Sequence, residues 1–83
     1  MDYVQTHIGY IQTNADLSAN LKAVRIKCGL SQEQVAKQLN ICRSTYAYYE
    51  TGKTIPSIFQ ITHLTKIFSV PLMDLIGCHT RSV

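Results

Sequence analysis

The chain has 83 residues, 46% hydrophobic and 16% charged, with a net charge of +3. A chain this short builds one core and leaves no room for a separate catalytic lobe, and its composition is that of a folded domain, not a disordered tail. It contains no apolar run of ~18 residues and no basic-then-apolar leader pattern, so a cytoplasmic protein without a membrane span is expected.

Met1 to Asp16 reads as an N-terminal arm. Tyr3, Val4, His7, Ile8, Tyr10 and Ile11 give a partial helical spacing, Gly9 weakens it, and a short strand fits Ile8–Ile11 equally well. The arm is either loose or packed on its own domain or a second subunit, hiding Tyr10 and Ile11. Residues 17–77 read as the folded domain and 78–83 as a patternless tail. Asp16 or Ser18 can cap a first helix whose inner stripe is Leu17, Leu21, Val24 and Cys28, with Lys22 and Lys27 outside and Gly29 at its end.

Leu30 to Glu50 reads as two short helices joined by a tight turn. Ser31 is a good N-cap, and Gln34 completes a capping box. Val35, Ala36 and Leu39 fall on one face. Asn40 tolerates the left-handed backbone that ends a helix sharply, and Ile41 plugs the turn. The second helix starts near Arg43. Tyr46 and Tyr49 share one face; Arg43, Ser44, Ala47 and Tyr48 share the other, and Gly52 stops it. Helices this short cannot stand alone, and small Ala36 lets them cross closely, as in a helix-turn-helix.

After the loop Lys53–Pro56, Ser57 is a plausible N-cap. Ile58, Ile61, Leu64, Thr65 and Phe68 then recur at three and four, a fourth helix. Pro71 fits the first turn of a fifth helix, with Leu72, Leu75 and Ile76 inward and Gly77 as stop. The expected fold is all-α, a compact five-helix bundle.

Leu21 to Gly77 resembles the lambda-repressor-like (Xre-type, Cro/C1-type) helix-turn-helix family. The matching points are Leu21, Arg25, Gly29-Leu30-Ser31-Gln32, Val35-Ala36, Leu39, Ile41, Ser44-Thr45, Glu50-x-Gly52-Lys53, Pro56, and Val70-Pro71-Leu72-x-x-Leu75-Ile76-Gly77. The resemblance implies DNA binding. It implies an ion pair between Arg25 and Glu50 that ties the first helix to the end of the recognition helix. It also makes Gln32 a contact to the DNA backbone.

The basic residues suit that role. Residues 1–19 carry Asp2 and Asp16 and no Lys or Arg; the basic excess lies on the helix-turn-helix region. Arg43, first on the recognition helix, can grip guanine through two hydrogen bonds. Ser44 can touch a base or a phosphate, Ala47 permits close approach, and Tyr48 can pack on a thymine methyl or reach a phosphate. Thr45 combines packing with phosphate contact, and Lys37 and Lys53 are phosphate candidates. Tyr46 and Tyr49 stand where the family usually places aliphatic core residues, so both are read as core with hydroxyls reaching the surface. Cys42 stands where Ser or Thr often caps the recognition helix, which weakens that cap.

These readings point to a sequence-specific transcriptional regulator, a repressor binding a palindromic double-stranded DNA operator as a homodimer, with RNA polymerase as a further partner. The alternative on the same scaffold is an antitoxin, with a toxin as partner, or another protein-binding regulator. No cofactor is expected. Cys28, Cys42 and Cys78 match neither a disulfide framework nor a zinc pattern. His7, His63 and His79 accompany no nucleophile motif, so an enzyme is not expected.

Overall fold

The computed structural model describes residues 14–77, and these form five helices with no strand among them. They are α1 (Asn14–Lys27), α2 (Gln32–Leu39), α3 (Arg43–Thr51), α4 (Ile58–Phe68) and α5 (Leu72–Ile76). The arm residues named above, up to position 13, and the tail from Cys78 lie outside the described residues.

Local chemistry sets most boundaries. Ser31 Oγ accepts from the Gln34 N–H while the Gln34 side chain accepts from the Ser31 N–H, so two free donors at the start of α2 are satisfied reciprocally. Asn40 closes α2 in the left-handed region at φ 62°. Gly52 does the same for α3 at φ 82°, and Ser69 for α4 at φ 57°. Ser57 caps α4 by accepting from the Gln60 N–H. Pro56 and Ile61, placed at the two positions of a hydrophobic staple around that cap, are both buried.

The core is one cluster: Leu21 from α1; Val35, Ala36 and Leu39 from α2; Tyr46 and Tyr49 from α3; Ile61, Leu64 and Phe68 from α4; and Leu75 from α5. Here α1 packs on α3 and α5, α2 on α3 and α4, and α4 on α5. The two tyrosine rings meet edge to face, 6.1 Å apart. Leu17, Val24, Leu30, Ile41, Ile67, Val70 and Ile76 pack around the cluster.

Several expectations are corrected. The first helix begins at Asn14, so Asp16 lies in its first turn and Ser18 is buried on it; neither is an N-cap. Cys28 is exposed beyond the end of α1, outside the inner stripe, although its thiol reaches the Phe68 carbonyl at 3.6 Å. Ile58 and Leu72 face outward, 60% and 41% exposed. Each is the first residue of its helix, where the chain has not yet turned onto the core. Pro71 is the N-cap of α5, one residue before its first turn.

No sequence pattern marks Asn20. It is buried, and its side-chain amide donates to the carbonyls of Leu75 and Gly77, both at 2.8 Å. One side chain thus satisfies the end of α5 and ties it to α1. Gly77 stands at this junction because a Cβ there would lie 2.6 Å from the Met73 carbonyl oxygen. Asn20→Ala should cost about 1–3 kcal/mol, because two buried carbonyls lose their donor. Lys22→Ala, on the exposed face of the same helix, should change stability by no more than about 0.5 kcal/mol. Urea denaturation of both variants checks the contrast.

Candidate nucleic-acid interface

The interface is built on a carboxylate. Glu50, near the end of α3, is buried, with its side chain 2% exposed. Arg25 on α1 approaches it with two nitrogens: Nε to Oε2 at 2.5 Å and Nη2 to Oε1 at 3.1 Å. The third guanidinium nitrogen, Nη1, donates to the Leu30 carbonyl at 2.9 Å, in the turn before α2. A bidentate fork of this kind fixes orientation as well as charge.

The same carboxylate holds a residue on the outer surface. Gln32, the first residue of α2, donates from Nε2 to Glu50 Oε1 at 3.0 Å. The other end of the Gln32 amide, Oε1, accepts from Arg43 Nη1 at 2.7 Å. A continuous chain of hydrogen bonds therefore runs from Arg25 through Glu50 and Gln32 to Arg43. It starts in the core and ends on the exposed first residue of α3. The Gln32 amide has to present its nitrogen to the carboxylate and its oxygen to the guanidinium, so its orientation is fixed by its two partners. One guanidinium nitrogen of Arg43 is used in this link.

The other candidate residues fall around this chain. Lys37 lines a shallow groove with Glu33, Asn40, Ile41 and Arg43. Tyr48 is 41% exposed, and Lys53 Nζ sits 4.7 Å from the centre of its ring, a cation–π contact that ties the loop lysine to the recognition helix. Ser44 is exposed, while Thr45 and Ala47 are half-buried. The side chains of Ser44 and Thr45 turn toward Cys42, with hydroxyl oxygens 3.5 and 3.1 Å from its sulfur. These hydroxyls hold the exposed Cys42 thiol down to about 7. Cys42 has the extended backbone of an N-cap, but its side chain makes no capping hydrogen bond.

Tyr46 corrects an expectation. Its ring is core, but its hydroxyl does not reach the surface; it is buried without a hydrogen-bond partner. Burial, together with the neighbouring Glu50 carboxylate, raises this phenol far above its ordinary range. Tyr46 therefore stays neutral beneath the ion pair. The link from Gln32 to Glu50 was also not foreseen. Its signal is a polar residue placed directly after the α2 cap, where the helix start faces the end of α3.

Comparison with known proteins fits this geometry. The helix-turn-helix family profile matches residues 21–75. The chain belongs to the Cro/C1-type helix-turn-helix family. Members of this family are DNA-binding transcriptional regulators. Over 60 residues the chain is 30% identical to the cryptic phage CTXphi transcriptional repressor RstR of Vibrio cholerae, covering 72% of this chain and 54% of RstR. Over 62 residues it is 37% identical to YonR, an uncharacterized SPbeta prophage-derived HTH-type transcriptional regulator of Bacillus subtilis, covering 74% of this chain and 57% of YonR. The chain thus spans little more than half the length of these relatives. The solution structure of the SOS-response transcriptional repressor LexA from Eubacterium rectale shares the fold, with a TM-score of 0.77 at 24% identity over 84% of this chain and 74% of that one.

Among the described residues no group of His, Cys, Asp and Glu is placed to hold a metal ion, and no helix is long and apolar enough to cross a membrane.

The Cro/C1-type ion pair has a measurable weight. Arg25→Ala strands a buried carboxylate and should cost ~3–5 kcal/mol. The effects of Arg25→Ala and Glu50→Ala should not add in the double variant; additive urea melts would contradict a pair. The pair also sets a pH dependence. Burial pushes the Glu50 carboxyl up, but the hydrogen bonds from Arg25 and Gln32 outweigh it, and the net shift is downward. A carboxyl lowered by folding contributes stability that is present above its unfolded value of about 4.3 and is lost as pH falls through the folded value. The acid limb of the stability curve should therefore be steeper for the native protein than for Glu50→Gln.

Proposed function

We propose that this protein is a sequence-specific transcriptional repressor that binds a palindromic operator in double-stranded DNA as a homodimer in the cytoplasm. The observation that supports this reading best is the tethered guanidinium of Arg43. An arginine at the start of a recognition helix, exposed and already oriented by Gln32, meets the requirement for reading guanine in the major groove. Holding it in place before binding reduces the ordering cost of the contact.

The surrounding residues divide by role. Gln32 and Lys37 on α2 and Lys53 after α3 meet phosphates and position the domain. The free N–H groups at the start of α2 favour the same charge. Ser44, Thr45, Ala47 and Tyr48 complete the surface that enters the groove. One helix of this length reads only a few base pairs, so a second copy is needed to build specificity. Repression then follows from occupancy: a bound dimer excludes RNA polymerase from an overlapping promoter.

Selection of fragments from a random duplex pool by the purified protein tests this reading. The expected product is a two-fold symmetric sequence with guanine at one position of each half-site. Arg43→Ala should lose ~1–3 kcal/mol on that sequence and accept other bases at the guanine position alone. Lys53→Ala should instead weaken binding to all sequences and flatten the salt dependence by about one unit of slope. Failure to enrich any sequence would sink the proposal.

A further inference from the structure

The loop that follows α3 folds back on the helix it leaves. Gly52 turns it, in the left-handed region at φ 82°. The Tyr48 carbonyl then accepts twice, from the Thr51 hydroxyl at 3.2 Å and from the Thr54 N–H at 3.3 Å. The Thr51 hydroxyl oxygen in turn accepts from the Lys53 N–H at 3.4 Å. Both ends of Lys53 are thereby placed. Thr51 holds its backbone, and its ammonium sits 4.7 Å from the centre of the Tyr48 ring. Tyr48 therefore organises this loop with its carbonyl and its ring, while its core-facing neighbours Tyr46 and Tyr49 do the packing.

A ring and a carboxylate are different seats for an ammonium. Among the described residues Lys53 forms no ion pair with a carboxylate. Where such a pair exists, a phosphate has to break it, and the freed carboxylate then repels the phosphate. A ring face attracts the ammonium through its quadrupole and leaves its charge uncancelled. The ammonium has three N–H donors, and those turned away from the ring serve phosphate oxygens while the ring contact persists. Lysine also has much rotamer freedom to lose, so ordering Lys53 before DNA arrives lowers the cost of the contact. In exchange, the ring face that carries the ammonium is closed to a thymine methyl.

We propose that Tyr48 is a positioning residue for the Lys53 phosphate contact, and that its ring, not its hydroxyl, is the part that DNA binding uses. The role rests on the DNA-binding reading for its ligand and on the turn from Tyr48 to Thr54 for its geometry. Tyr48 then contributes affinity for any duplex and no base preference.

Two measurements test this role. In NMR spectra of the free protein, the ring current should shift the Lys53 ε-methylene protons upfield in the native chain and in Tyr48→Phe, and leave them at their ordinary position in Tyr48→Leu. Affinity for a duplex of mixed sequence, read by fluorescence anisotropy, should fall about two- to fivefold in Tyr48→Leu, the equivalent of one exposed cation–π contact, and stay native in Tyr48→Phe. In the Lys53→Ala background, Tyr48→Leu should have no further effect. Tyr48 and Lys53 are both exposed, so every variant should keep the native circular dichroism spectrum. Unshifted Lys53 protons in the native chain would overturn the proposal. So would a Tyr48→Leu loss that persists in the Lys53→Ala background, or a loss that Tyr48→Phe shares. A native chain that binds no duplex would remove the DNA-binding reading and this role with it, whereas binding without coupling between the two positions removes the role of Tyr48 alone.

Discussion

A buried carboxylate has to be paired and hydrogen-bonded, and Glu50 is held from two directions. Desolvation alone would make a charge at this position costly. The Arg25 fork offsets that cost from inside the bundle, and the Gln32 amide adds a hydrogen bond from outside. Three helices are therefore fixed to one atom group: α1 through Arg25, α2 through Gln32, and α3 through Glu50 itself. Neither α2 nor α3 is long enough to be stable alone. Their crossing depends on this junction and on the core face formed by Val35, Ala36, Leu39, Tyr46 and Tyr49.

The same junction also orders the outward side of α3. The core side of α3 is committed to packing, so its opposite side is presented outward as a rigid surface. Arg43 does not hang free on that surface: Gln32 holds one of its nitrogens, and Glu50 holds Gln32. Lys53 is similarly gathered in over Tyr48. A small domain has little buried area with which to organise a binding site. Here the organising interactions are the ones that already hold the fold together.

What the sequence made legible was local. The capping box at Ser31 and Gln34, the left-handed turn at Asn40 and the stop at Gly52 need only neighbouring residues, and the periodic faces of α2 and α3 follow from spacing. The less legible features depend on tertiary placement. Ile58 and Leu72 fit the apolar period of their helices, yet each comes before the helix reaches the core. Asp16 and Ser18 are good capping residue types, but the helix already begins at Asn14, so neither serves as its cap. Asn20 reaches carbonyls more than fifty positions away, which no window of sequence reveals. The Tyr46 hydroxyl is buried along with its ring, a fact of packing and not of pattern. Family resemblance and the outward face of α3 point to the candidate contacts to DNA; the hydrogen bond that joins Gln32 to Arg43 depends on tertiary placement.

On the DNA-binding reading proposed above, Glu50, which is too deeply buried to touch DNA, shapes base recognition by orienting Arg43 through Gln32. The direct measurement is a double-mutant cycle in DNA affinity between Glu50→Gln and Arg43→Ala, on the selected sequence and on its variant at the guanine position, below the melting temperature of every variant. Glu50→Gln should reduce discrimination at that position in the native background and have no effect on it once Arg43 is alanine, giving a coupling energy of about 1 kcal/mol. Equal effects of Glu50→Gln in both backgrounds would contradict the claim and confine Glu50 to stabilising the fold.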